Sequence, residues 1–172
     1  MFSFYLKLKN NTLHLNYSIM KYYIIIIMLF FFGNITAQSE AETEVKQTIE
    51  TFFEGFHKQD STLMNSIVYK DIKLQSIGKN REGALELTTT VYSKFLKSIV
   101  SIPQDQKFEE KILNYTIQID GNMANAWTDY QFWFNGQFSH CGVNSFQLIK
   151  ENNTWKIFYL VDTRRREGCD KE

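Results

Sequence analysis

The sequence predicts an α+β protein: a curved antiparallel sheet of about four long strands plus a short one, packed over three N-terminal helices. Three observations carry this. Apolar residues recur at helical spacing up to about residue 100. From Phe108 onward the period switches to two. Turn signals then divide the second half, at Asp120-Gly121, Asn135-Gly136 and Glu151-Asn152-Asn153. Helices followed by a meander of strands give a layered α+β domain rather than alternating βαβ units.

Each element has its own signal. Ser39-Glu40-Ala41-Glu42 fits a capping box, a hydroxyl followed three residues later by a carboxylate. Behind it Val45, Ile49, Phe52, Phe53 and Phe56 mark one face of a helix that ends near Gly55, with His57 and Lys58 favouring its C-terminus. Asp60 caps a shorter helix with Leu63, Met64, Ile67 and Val68 on its apolar face. Ile72 and Leu74 alternate with Lys73 and Gln75 as a short strand. A third helix is expected over 81–100, with Leu85, Val91, Tyr92, Phe95, Leu96 and Ile99 inward, and Pro103 closes that half. The four long strands fall at about 107–119, 123–134, 137–149 and 154–163.

Composition narrows the class. The 172 residues carry 19 basic and 19 acidic side chains, so no global field draws the chain to nucleic acid or an anionic membrane. With 15 Phe and 9 Tyr there is ample material for one core, and one proline with no Gly/Ser-rich stretch leaves no internal boundary. Lys21 precedes an unbroken apolar run over 22–32, and Gly33, Asn34 and the small Ala37 follow it. That is the layout of a secretory signal peptide, and the run is shorter than the roughly 20 residues a spanning helix needs. The expected division is an upstream extension over 1–19, a signal peptide over 20–37 and a mature domain over 38–172, exported to the periplasm or medium with no stable membrane anchor. A membrane anchor or a buried helix is the competing reading of the run. Cys141 and Cys169 are the only cysteines; export permits a bridge, and their spacing leaves it open.

His140 and Cys141 stand side by side on an expected strand, so they point to opposite faces. A thiolate nucleophile needs its base within hydrogen-bond reach, which argues against a Cys–His dyad. The other histidines are His14 and His57, and no His/Cys cluster has metal-ligand spacing, so no metal is expected. With two-residue turns, Phe134 faces Gln137 and Lys150 faces Asn153. Gln131 then lies opposite His140, Asp129 opposite Gly142, and Trp127 opposite Asn144. One face carries Phe146, Leu148, Trp155 and Ile157 at an apolar end, and Asp129, Gln131, His140 and Asn144 at a polar end, with Trp127 and Tyr159 between. Apolar walls with a few convergent polar groups make a ligand pocket; a plain core with a solvated polar rim is the alternative. If the faces are inverted, Tyr130, Cys141 and Asp162 become the pocket residues.

The stretches "TIETFFEGFHKQDSTLM", "IDGNMANAWTDYQFWFNG" and "SFQLIKENNTWKIFYLVDTRR", in this order, resemble the nuclear transport factor 2-like superfamily, which includes SnoaL-like proteins, ketosteroid isomerase and scytalone dehydratase. The resemblance covers about 40–164. It implies a cone-shaped sheet with a pocket at its open end, dimerisation through the outer sheet face, and no cofactor. It does not fix an activity, because the fold hosts many chemistries. The leading expectation is an exported protein that holds a small, partly apolar molecule in the cone, with Trp127, Gln131, Asn144, Tyr159 and Arg164 as ligand contacts. Arg164 opens the run Arg164-Arg165-Arg166, which suits a carboxylate or phosphate at the mouth. The rival is a cofactor-independent isomerase, dehydratase or hydrolase with Asp129 as general base and His140 orienting it or donating to an oxyanion. The third is a dimeric interaction module whose cone is filled by its own side chains.

Overall fold

A computed structural model of the chain describes residues 38–169. The expected extension and signal peptide lie outside the described residues. Among the described residues no helix is long and apolar enough to cross a membrane.

The first helix, α1, covers residues 38–57 and buries Val45, Ile49, Phe52, Phe53 and Phe56, the stripe that its spacing predicts. α2 (Ser61–Ser66) starts at Asp60, whose carboxylate accepts the N–H groups of Thr62 and Leu63, both at 2.9 Å. The chain then forms β1 (Val68–Lys79), β2 (Leu85–Val91), α3 (Tyr92–Val100), β3 (Phe108–Asp120), β4 (Met123–Phe134), β5 (Gln137–Glu151) and β6 (Thr154–Thr163). Six strands form one curved, open sheet in the order β2-β1-β6-β5-β4-β3. All neighbours are antiparallel except β1 and β6, which run parallel.

The expected helix over 81–100 is two elements. Its first part is β2, which pairs with all of the second half of β1 from Lys73↔Val91 to Lys79↔Leu85. Thr88, Thr89, Thr90 and Val91 are consecutive β-branched residues, stiff at χ1 and better suited to a pleated strand than to a helix. The connection is set by Asn80, whose side-chain oxygen accepts the N–H groups of Glu82 and Ala84, and by Gly83 at φ +81. Leu85 and Val91, expected inward, are therefore exposed. Only Tyr92–Val100 is helical, and Gln59 closes its end by donating to the carbonyls of Ile99 and Ile102.

The core lies between α1 and the concave sheet face. Phe52 and Phe53 meet Phe146 edge-on at centroid distances of 6.1 and 6.0 Å. Ala124 and Ala126, both fully buried, present only methyl groups from β4 to this core. Glu44 fixes the helix to the sheet by accepting from Lys150 Nζ at 2.6 Å and Trp155 Nε1 at 3.2 Å.

The hairpins set which side chains face inward. Asn135 and Gly136 both adopt positive φ, as a two-residue I′ turn requires, and Phe134 pairs with Gln137 as expected. One residue further on, the register shifts between Trp133↔Phe138 and Phe132↔His140, which leaves Ser139 as a bulge. Asn152 and Asn153 form the last turn, so Glu151 pairs with Thr154 rather than Lys150 with Asn153, and a second shift follows at Phe158. Each one-residue slip exchanges the two faces of a strand. Trp127, Asp129 and Gln131 consequently lie on the outer face, while Thr128, Tyr130 and Phe132 point inward.

The C-terminal segment is fastened beyond β6. Arg164 N–H donates to Ile77 O, and Cys141 and Arg165 exchange two backbone hydrogen bonds. Cys141 and Cys169 are joined by a disulfide with Cα atoms 5.8 Å apart. The bridge closes a loop over a sequence separation of 28, for which chain entropy gives a few kcal/mol. In a reduced chain the segment after Arg165 is expected to detach without unfolding the sheet, so that the native state regains part of that entropy. Cys169→Ser is therefore expected to cost about 2 kcal/mol, the low end of the usual range. Chemical denaturation of the variant and of the oxidised parent measures this; equal stability would show that the bridge constrains nothing.

Candidate functional site

A cavity of about 310 Å³ opens between α1, α3 and the concave face. Its walls are aromatic and aliphatic: Phe52, Phe53 and Phe56 from α1, Phe95 from α3, and Phe132 and Leu160 from the sheet. Its polar end gathers Ser76, Glu110, Tyr130, His140, Asn144 and Asp162 from five strands, and Arg164 from just beyond β6. Apolar walls with a small set of fixed polar groups orient a ligand while drawing its apolar body out of water.

Glu110 is the central group. Alternation places it on the same face as Phe108 and Ile112, so its carboxyl enters an apolar surface. Its backbone N–H donates to His57 Nε2 at 2.9 Å, which fixes this point of β3 against the end of α1. That bond needs an unprotonated His57 nitrogen, and burial lowers the His57 pKa in the same sense. Asn144, itself buried, donates from Nδ2 to Glu110 Oε1 at 2.7 Å. Glu110 is half-buried overall, and its side chain lines the cavity. Desolvation dominates and pushes its pKa up to about 7, against the opposing hydrogen bond from Asn144.

Beside it stands a second cluster. Asp162 accepts from Arg164 Nε at 2.7 Å and is hydrogen-bonded to the Ser76 hydroxyl. Arg164 Nη2 also reaches Ser76 Oγ at 3.3 Å. Arg164 is exposed at the cavity's edge; partial loss of water works against its charge, but contact with Asp162 outweighs it and the guanidinium pKa is raised. Tyr130 donates to the Thr163 carbonyl at 2.9 Å. Burial first, then the carboxylates of Asp162 and Glu110, hold its phenol far above the ordinary value. His140 stacks on Phe132 at 5.0 Å and meets Tyr130 edge-on at 5.8 Å. Burial and the Arg164 charge lower its pKa and favour neutral imidazole.

Of the residues expected at the site, His140, Asn144 and Arg164 line this cavity. Trp127, Asp129, Gln131 and Tyr159 stand on the other side of the sheet. Trp127 is 48 % exposed, Asp129 lies opposite Val143, and Gln131 accepts from Trp133 Nε1 at 3.1 Å. Tyr159 donates to Gln75 Oε1 at 2.6 Å. The Asp129–His140 pairing is thus divided by the sheet, because the bulge at Ser139 pairs His140 with Phe132 instead of Gln131. Tyr130 and Asp162, named for the inverted face, do line the cavity, whereas Cys141 is taken up by its disulfide. Glu110 escaped the sequence reading, although a lone carboxylate alternating with Phe108 and Ile112 was a legible signal. Among the described residues no three His, Cys, Asp or Glu side chains cluster as metal ligands would.

A curved open sheet over N-terminal helices, with a cavity between them, is the fold of the nuclear transport factor 2-like superfamily, to which the chain belongs. Within it the family model described as "Putative lumazine-binding" matches residues 40–159, and the chain belongs to that family. Similar solved structures include an NTF2-like protein of unknown function from Shewanella baltica, at 16 % identity and a TM-score of 0.54, covering 75 % of this chain and 97 % of that one. Another is an NTF2-like protein of unknown function from Pseudomonas putida, at 13 % identity and a TM-score of 0.59, covering 78 % and 93 %. A third, named "Putative Scytalone Dehydratase", is from Novosphingobium aromaticivorans, at 12 % identity and a TM-score of 0.60, covering 79 % and 99 %. These likenesses carry the fold alone. No curated protein matches the chain.

Proposed function

We propose that the protein is an exported binder of a small, partly apolar molecule with a flat aromatic body, held in the cone cavity. The observation that carries this is the cavity itself: about 310 Å³, walled by phenylalanines, with Glu110 and Asn144 joined at its polar end. The Glu110–Asn144 pair keeps one carboxyl oxygen and the Asn144 carbonyl for a ligand edge that donates and accepts hydrogen bonds. A cone filled by its own side chains, as a pure interaction module requires, does not fit this space. Export rests on the apolar run over 22–32. A dimer through the outer sheet face rests on Trp127, Leu113 and Met123, exposed at 48 %, 55 % and 53 %.

One experiment reads all three parts. Native mass spectrometry of the protein from its own host is expected to show a chain beginning near Gln38, a dimer, and a co-purifying small molecule released on denaturation. Leu160→Trp, which fills the cavity, is expected to lose the molecule and keep the dimer. A chain that carries no molecule, and whose cavity takes up no apolar fluorescent probe that Leu160→Trp excludes, would refute the binding reading.

A second reading is favoured by Glu110. A carboxyl with a pKa of about 7 in an apolar cavity is poised to take or give a proton at neutral pH. It would serve a cofactor-independent isomerase or dehydratase, with Glu110 in the role expected of Asp129 and neutral His140 as a hydrogen-bonding partner. Glu110→Gln then separates the readings: a binder keeps its ligand, while an enzyme binds substrate and turns none over.

A further inference from the structure

A second concavity adjoins the first. It is an open cleft of about 940 Å³ between the β1–β2 connection and the C-terminal segment. His140 and Arg164 line both spaces, so the cleft adjoins the cavity at its polar end. Its rim carries Lys79, Arg81, Arg165 and Arg166 in addition to Arg164, against the single carboxylate of Glu167. Arg164 is already engaged by Asp162 and Ser76, and Arg165 Nη2 donates to the neutral Gly168 carbonyl at 3.4 Å. The remaining four cations and Glu167 leave an excess of three positive charges in a chain whose net charge is zero.

The cleft is held in shape. Arg164 is hydrogen-bonded to Ile77 on β1, and Arg165 to Cys141 on β5. The Cys141–Cys169 bridge pins the far side of the arginine run. The four remaining cationic side chains are solvent-exposed, so water screens their mutual repulsion, but together they set a positive potential over the concavity that favours an anion there. Guanidinium groups match phosphate oxygens in pairs, and a phosphate monoester brings close to two negative charges and three acceptor oxygens near neutral pH. A carboxylate brings one charge and two oxygens, which answers this excess less well.

We infer that the cleft is an anion site for a phosphate monoester, and that the ligand is an aromatic phosphate whose apolar body occupies the cavity while its phosphate lies among Arg81, Arg165 and Arg166. The inference rests on the cavity-binding reading and adds the charged half of the ligand. The two halves fail separately when 1-naphthyl phosphate, 1-naphthol and 1-naphthoate are titrated into the purified protein by calorimetry at fixed low salt. Naphthol binding reports on the cavity alone.

The expected result is a naphthyl phosphate affinity at least tenfold above that of naphthol, with naphthoate between them. In the double variant Arg81→Ala/Arg166→Ala the ratio of phosphate to naphthol affinity is expected to fall to within twofold of one. Inorganic phosphate at millimolar concentration should narrow the parent's ratio by occupying the cleft. Naphthol binding with no gain from the phosphate would overturn the cleft and leave the cavity reading intact. The same ratio in parent and double variant, or no binding of naphthyl phosphate, would also overturn it. A naphthoate affinity equal to that of the phosphate would overturn the choice of phosphate.

Discussion

Gly142→Ala is expected to destabilise the fold by at least about 3 kcal/mol and lower its melting temperature by roughly 10 °C. A Cβ built at this position falls 1.8 Å from the Thr163 carbonyl oxygen and 2.8 Å from Tyr130 Cε1. The first contact is with backbone, so no rotamer change relieves it; β5 and the end of β6 must separate. That separation reaches the site, because Thr163 O accepts the Tyr130 hydroxyl and Thr163 Oγ1 accepts Val143 N–H. Gly78→Ala is the control. Its added methyl meets nothing within 4 Å, and a change within about 0.5 kcal/mol is expected. Thermal melts of the two variants measure the contrast. Equal melting temperatures would refute the close approach of β6 over Gly142.

The contrast between these glycines shows where sequence reasoning stops. Gly142 and Gly78 look alike in the chain, and only the crossing of β6 separates them. The fold class was legible because it rests on local signals: the α1 stripe from Val45 to Phe56, the Asp60 cap, and the turn at Asn135-Gly136. The strand β2 was not, since Leu85, Val91 and Tyr92 fall at helical spacing while the β-branched run Thr88–Val91 speaks for a strand. Pairing with β1 decides between them.

The site was legible strand by strand but not across strands. His140 and Asn144 are where alternation on β5 puts them, whereas Arg164 follows Leu160 and Asp162 onto the cavity face through the bulge at Phe158. Asp129 and Trp127 were misplaced because the turns give the register only at the hairpin ends, and bulges at Ser139 and Phe158 reset it farther along. A bulge at a non-glycine residue carries little sequence signal of its own, since its stability comes from twist and packing of the finished sheet. The disulfide was equally hidden: 28 residues of separation allow it, and only the pairing of Arg165 with Cys141 brings the two cysteines together.

Glu110→Gln is expected to stabilise the protein at pH 8 by about 3 kcal/mol and to leave it nearly unchanged at pH 4. In the unfolded chain the carboxyl titrates near 4.5, and in the fold at about 7. Below 4.5 both states hold the proton, and whatever the neutral acid contributes to the fold is fully present. Between 4.5 and 7 the unfolded chain releases a proton that the fold retains, so stability falls as pH rises. The fall amounts to about 1.4 kcal/mol for each pH unit across that window. It is complete just above 7, where the fold must keep an ionised carboxylate in the cavity. Glutamine reproduces the neutral acid at every pH and removes this slope. His57 and His140, whose pKa values are lowered, act in the opposite direction and destabilise the fold as pH falls through 6.5. Their contribution is common to parent and variant and cancels in the difference. Urea denaturation of both from pH 4 to pH 9 therefore isolates Glu110. A difference that grows from near zero at pH 4 to a plateau above pH 7 is the expected curve; a difference independent of pH would mean that Glu110 is solvated and that neither binding nor proton transfer draws on a buried carboxyl. A ligand that donates to the ionised carboxylate should reduce the parent's loss above pH 7 and have no such effect in the variant, linking this titration to occupancy of the cavity.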